Sequence, residues 1–321
     1  MKKGLIDTQR ILLLLSGIVI TGVVFICLFF AFPKQDSHRI YPTQGRLDLQ
    51  NWDPRRDGTL NLNGEWDFYW RRFLSYQEIV ARDPTPDLKA VVPDVWNNYK
   101  LRGKNLPGFG YATYRLRVTG VAKGISLALR IPTFSTAYKL FINHLLVSTN
   151  GKAGSSKRQS TPQYRPEVVE FTPDGASFEL IAQVANFTYS RGGMWYTINL
   201  GTPEQIHQLD RTIADKDLLL FGALAVMALY YLSIFLLRRE DKSSLYFVLM
   251  CLMLASRTAV YGDYLIYRLV PFISFQAIIA IEYITVCWFP IFAVLMVAKL
   301  FPEEASQKVL KAAVVYGVIM A

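Results

Sequence analysis

The stretch SRGGMWY, Ser190–Tyr196, gathers residue types that hold a small polar ligand. Trp195 and Tyr196 offer flat apolar faces, and Arg191 offers a planar cation for hydroxyl or carboxylate oxygens. Gly192 and Gly193 free the backbone between them to present Trp195. Trp52, Trp96 and Tyr99 stand near polar residues in other loops and complete the set of candidate ligand-binding residues. Sugar recognition combines aromatic faces against ring surfaces with planar polar groups against hydroxyls.

Arg257 and Glu282 are informative for a different reason. Each lies within an apolar run, about Leu245–Tyr261 and Ile273–Val297 respectively. Ionisable groups inside a membrane are costly and mark pairing or function. Counted from the outer ends of their runs at 1.5 Å per residue, they lie roughly 9 and 14 Å deep. That difference is about one helical turn, so adjacent helices can bring Arg257 onto the Glu282 carboxylate as an intramembrane polar pair. Snorkelling to the headgroups is the alternative for Arg257. Glu282 is expected to face the bundle interior, paired with Arg257 or protonated and bonded to a neighbour such as Tyr261.

Catalysis finds no footing. The sequence has no HExxH, GxSxG or GxxxxGK[ST], and GKAGSSK at Gly151–Lys157 is a glycine–serine loop with lysines. His38, His144 and His207 lack metal-ligand spacing, and no metal or cofactor is expected. Cys27, Cys251 and Cys287 all fall in apolar runs, which leaves no disulfide framework elsewhere. The net charge of +10 is scattered without Lys/Arg runs, which argues against a nucleic-acid partner.

Of the 321 residues, 52 % are apolar, and they concentrate in segments. Ile11–Phe32, about 22 residues without a charge, can cross a bilayer core. Lys2, Lys3 and Arg10 before it place the N-terminus in the cytoplasm. The run reads as an uncleaved signal anchor, with a cleaved signal peptide as the alternative. Leu218–Leu237 follows, then Arg238, Arg239 and Lys242 inside. The runs holding Arg257 and Glu282 are the third and fourth, and a fifth begins near Val314 and stops with the chain, which therefore reads as a fragment. Tyr230, Tyr231, Tyr246, Tyr261 and Tyr264 fall near the expected interfaces. The expected organisation is residues 1–10 cytoplasmic, 11–32 the anchor, 33–216 an extracytoplasmic domain and 217–321 the first helices of a membrane bundle.

Residues 33–216 alternate with period two. In NLNGEWDFYW, Leu62, Trp66, Phe68 and Trp70 share a face, while Glu65, Asp67 and Tyr69 point to a wetter one. YATYRLRV, ISLALRI, AYKLFI and SFELIAQVANF repeat the pattern, separated by Asn150-Gly151, Pro173-Asp174-Gly175 and Gly192-Gly193. Short strands at this spacing predict a mainly β jelly-roll sandwich, with Trp66, Phe68, Leu127, Leu129, Leu140 and Leu180 inside. LSYQEIVA, Leu74–Ala81, is the candidate helix.

LNGEWDFYW, then VPDVW, GFGYATYRLRV, IPTFSTAYKLFIN and NFTYSRGG follow in an order that resembles the bacterial seven-transmembrane receptors with diverse intracellular signalling modules. Their outer region is similar to the galactose-binding-like jelly roll that opens glycoside hydrolase family 2 enzymes. The resemblance implies three further helices and a cytoplasmic histidine kinase, nucleotide cyclase or diguanylate cyclase, none present in this sequence. Those hydrolases keep their catalytic carboxylates in a barrel after the jelly roll, where this chain has a membrane helix. The expectation is a multi-pass receptor of the inner membrane, not itself an enzyme in this stretch. Its expected partners are the lipid bilayer and a small-molecule or carbohydrate ligand, with a homodimer as a possible assembly. The alternative is a non-catalytic ectodomain that recognises another envelope protein.

Overall fold

The computed structural model describes residues 40–303, together with 308, 312, 315 and 316. The expected anchor, 11–32, and most of the expected fifth membrane run lie outside the described residues. The strands are β1 (Arg46–Asp48), β2 (Leu60–Asn61), β3 (Gly64–Trp70), β4 (Leu88–Val92), β5 (Asp94–Val95), β6 (Lys100–Leu101), β7 (Lys104–Asn105), β8 (Gly110–Thr119), β9 (Leu127–Ile131), β10 (Ala137–Ile142), β11 (Leu145–Asn150), β12 (Glu167–Phe171), β13 (Ser177–Asn186), β14 (Gly193–Met194) and β15 (Asn199–Gly201). The α-helices are α1 (Pro54–Asp57), α2 (Tyr76–Arg82), α3 (Pro203–Leu237), α4 (Lys242–Val260), α5 (Ile266–Leu269) and α6 (Phe275–Leu300).

Two sheets face each other. The larger runs β11-β10-β13-β8-β3-β4, with β1 parallel to β8, and the smaller runs β12-β9-β15-β2. The six side chains that alternation predicts inside are each at most 1 % exposed. At about 1.5–3 kcal/mol for each large apolar side chain removed from water, this shared face is what holds the sandwich together. Beneath β3, Phe68 meets Tyr114 edge-on at 4.9 Å.

The opposite face of the larger sheet is not the wet surface that alternation alone suggests. Tyr69 is fully buried beneath the segment after α2, and Asp67 nearly so, closed in by Gly45 and paired with Lys89. Ser75 caps α2 reciprocally with Glu78, and the Tyr69 hydroxyl donates to the Pro84 carbonyl at 3.1 Å. Arg115 on β8 grips Glu179 on β13 through two bonds of 2.6 and 2.9 Å, and Arg117 adds a third of 3.0 Å. Burial pushes the Glu179 carboxyl up, but the two guanidiniums outweigh it and hold the group below its ordinary range.

The expected boundary at residue 216 falls within a continuous helix. β15 passes through the single residue Thr202 into α3, whose 35 residues run roughly 52 Å, against a bilayer core of roughly 30 Å. Thr202 and Gln205 form a capping box, and Pro203 occupies the first turn. Hydropathy marks only the part of this helix that lipid surrounds. The outer turns pack on the smaller sheet instead, with Ile206 fully buried. Likewise α4 starts three residues before the expected run and α6 ends three after it. Among the described residues, α3, α4 and α6 are long and apolar enough to cross a membrane.

Candidate functional site

The ten-residue pairing of β8 with β13 ends at Gly110 and Asn186. Asn186 is fully buried and organises the loop that follows. Its amide donates to the carbonyls of Gly108 and Tyr189 at 2.8 and 2.7 Å, and its oxygen accepts from the Tyr189 amide at 3.0 Å. Asn97 then fastens both sides of the next turn, donating to Ser190 and accepting from the Gly192 amide. Ser135 donates to the Arg191 carbonyl at 2.8 Å. Gly192 lies flat on Trp96: a Cβ there would come within 2.3 Å of the indole ring. Gly193, with φ of 119°, turns the chain into β14, which pairs with β5. The loop is therefore fixed from several sides, and it points Arg191, Trp195 and Tyr196 toward the membrane helices.

Those three residues line a cavity of about 380 Å³, within the range of small-molecule sites. Val95, Tyr164 and Tyr189 complete the sandwich side of its wall. The other side is membrane protein: Arg257, Tyr261, Tyr264, Ile279 and Glu282. The residues read as a ligand loop and those read as an intramembrane pair thus belong to one site.

Trp52, Trp96 and Tyr99 do not belong to it. They are 8, 0 and 8 % exposed and form part of the sandwich core, so their faces are closed to a ligand. Their polar residue neighbours suggested loops, but the ring faces pack inward. Trp96 serves as the pedestal under Gly192, its indole nitrogen held by the carbonyls of Pro107 and Gly108 at 3.0 and 3.2 Å.

Arg257 and Glu282 are shallower than expected. Arg257 lies three residues before the end of α4 and Glu282 seven residues into α6, roughly 4 and 10 Å from the outer ends. They are neighbours, but their side chains form no direct ion pair. The Arg257 guanidinium reaches the backbone carbonyl of Glu282 at 3.4 Å and stacks 5.0 Å over the Tyr261 ring. The Glu282 carboxylate faces the cavity. Among the described residues, neither group has an ion-pair partner, and Arg191 has none.

Tyr164, Tyr189 and Tyr264 were not legible as site residues. Tyr164 sits in the long loop after β11 and is 3 % exposed, wedged against Tyr264 and Phe275 at ring distances of 5.3 and 4.9 Å. Burial raises the phenol pKa values of Tyr164 and Tyr264, and burial beside Tyr261 does so for Tyr196. Tyr189 is pushed up to about 12 by burial and its contact with Tyr283. These phenols stay protonated at neutral pH and can donate. The Tyr164 hydroxyl and the Trp195 indole nitrogen are buried without a hydrogen-bond partner among the described residues, two donors left for something else to satisfy.

A second bridge lies beside the cavity. Arg130 on β9 is buried and reaches Asp210 on α3 at 3.2 Å and Asp263 in the α4–α5 loop. Arg268 on α5 joins Asp210 at 3.2 Å. Burial pushes the Asp263 carboxyl up, and Arg130 opposes this without reversing it. Another cavity, about 240 Å³, opens on the outer face of the larger sheet. Asp67, Asp83, Lys89, Arg115 and Arg117 line it and already pair with one another or with Glu179.

Residues 216–321 match the family model described as 7TM diverse intracellular signalling. This membrane region is similar to that family over those residues. The chain is accordingly a multi-pass membrane protein with a transmembrane signalling role. No curated protein matches it in sequence. Among solved structures it is similar to a beta-galacturonidase from Eisenbergiella tayi, at 16 % identity and a TM-score of 0.33 over 45 % of this chain and 24 % of that one. It is also similar to the Ruminococcus gnavus beta-glucuronidase, at 12 % identity and a TM-score of 0.33 over 44 % and 28 % of the two chains. The shared part spans about a quarter of either enzyme.

Proposed function

We propose that the chain is the sensing half of an inner-membrane receptor, and that its ligand binds in the cavity between sandwich and helices. The observation behind this reading is the composition of the wall. About half comes from the sandwich, chiefly its fixed Tyr189–Tyr196 loop, and half from the ends of α4 and α6 and the loop between them, so an occupant touches both at once. Binding then favours whichever placement of those helices fits the occupant best, which is the differential contact that a signal requires. A carbohydrate suits the aromatic faces of Trp195, Tyr196 and Tyr189 and the free donors beside them. The signal would pass to a cytoplasmic output module. An apolar patch on the sandwich would favour an envelope-protein partner instead, but the aromatic and polar cavity favours a small ligand.

The test is a thermal-shift screen of the whole chain in nanodiscs against sugars, oligosaccharides and cell-wall fragments. A hit should raise the unfolding temperature in wild type and lose at least tenfold in affinity in Trp195→Ala. If no compound shifts the chain, or if Trp195→Ala and Arg191→Ala bind a hit as wild type does, the assignment fails.

A further inference from the structure

Arg191, Arg257 and Glu282 bring charges of both signs to one cavity without pairing among themselves. Pairing would be the cheaper arrangement for half-buried groups on adjacent helices. Arg257 is kept from it by its stack on Tyr261 and its bond to the Glu282 carbonyl, which hold the guanidinium away from the carboxylate. The cavity wall therefore carries two positive groups, Arg191 on the sandwich side and Arg257 on the helix side, and one negative group, Glu282. The tyrosine and tryptophan rings that share the wall are uncharged.

We propose that the ligand is a zwitterion, with an acidic group held by Arg257 and Arg191 and an amine held by Glu282. Its scaffold lies against the aromatic wall. The inference rests on the junction cavity being the ligand site and adds the charge pattern of what enters it. A neutral molecule would leave the half-buried charges of Arg257 and Glu282 unanswered. An anion would meet Glu282, and a cation would meet two arginines. Two sources supply this chemistry at suitable size, an amino acid or an amino sugar bearing a carboxyl group.

Isothermal titration on the whole chain tests this in phosphatidylglycerol nanodiscs, whose lipid has no amine to compete. Muramic acid is compared with N-acetylmuramic acid, glucosamine, glucuronate and glucose. In parallel, the proteinogenic amino acids are compared with their N-acetyl and amide forms. The expected result is binding by a compound bearing both charges and at least tenfold weaker binding once either is blocked. Which series contains the binder identifies the source. Glu282→Gln should erase the penalty for blocking the amine, and Arg257→Gln the penalty for blocking the acid. Because the ligand series is read on wild type, a poorly folding variant leaves the result intact. Equal binding by a singly charged or neutral analogue overturns the inference. If that analogue still needs Trp195, the cavity reading survives without the zwitterion. If no compound in either series binds, the zwitterion inference falls, and the cavity reading is then judged by the wider screen alone.

Discussion

Arg115 reaches diagonally from β8 to Glu179 on β13 with both charges under cover, and that costs more to disturb than an exposed pair. Removing Glu179 takes away the shared partner of Arg115 and Arg117 and leaves the buried Arg115 guanidinium with exposed Asp83 as its remaining close partner. Glu179→Gln should therefore lower the stability of the chain by about 3 kcal/mol in thermal or denaturant unfolding. The pH dependence has a definite sign. The folded-state pKa of Glu179 is depressed below its ordinary 4.5, so its contribution is complete above that value and is lost as pH falls through the folded-state value. The Gln variant should lack this acid-side loss, a difference that melts at stepped pH will show. At the site, Gly192→Ala should cost binding although it touches no ligand, because the new methyl group must displace Trp96 or the loop. Its binding should fall toward that of Trp195→Ala, while Gly175→Ala, where nothing lies within reach, should change nothing. Arg191, Trp195, Tyr196, Arg257 and Glu282 could be picked out by residue type and segment alone. Tyr164 could not, since its role arises from contact with Phe275 on a helix far along the chain.

At the scale of elements, the sandwich is joined to the helices at named points, and β9 provides the strongest. Arg130 faces α3 and the α4–α5 loop at once. Arg130→Leu should destabilise the whole chain in detergent by about 3 kcal/mol, because it strands the Asp263 carboxylate at a packed junction and leaves Asp210 with Arg268 alone. Adding Asp263→Asn should recover part of that loss, and strict additivity in the double-mutant cycle would rule out the coupling. Alternation made the strands readable, since a single slip would expose a whole face. It could not foresee that the segment after α2 covers Tyr69 on the other face, which depends on tertiary placement rather than on the strand's own pattern. The start of α3 was also present in the sequence, as Thr202-Pro203-Glu204-Gln205, a capping box with proline at the first position. Reading hydropathy alone moved that start inward to the point where lipid begins.

For the molecule as a whole, the cavity exists only where both halves meet. Residues 40–216 expressed alone would retain Trp195, Tyr196 and Arg191 but lose Arg257, Tyr261, Tyr264, Ile279 and Glu282. The isolated domain should therefore fold and yet bind at least a hundredfold more weakly than the whole chain, as titration of the two side by side will measure. The shared wall also has a consequence that runs in the opposite direction. Where one ligand contacts two bodies, the work it does on their arrangement equals the work their arrangement does on it. Whatever grips the cytoplasmic ends of α3, α4 and α6 must then alter affinity at the outer cavity by the same factor, typically about 5–150-fold. An outer binding curve is thus a gauge of the inner state, readable from outside the cell without assaying the output module.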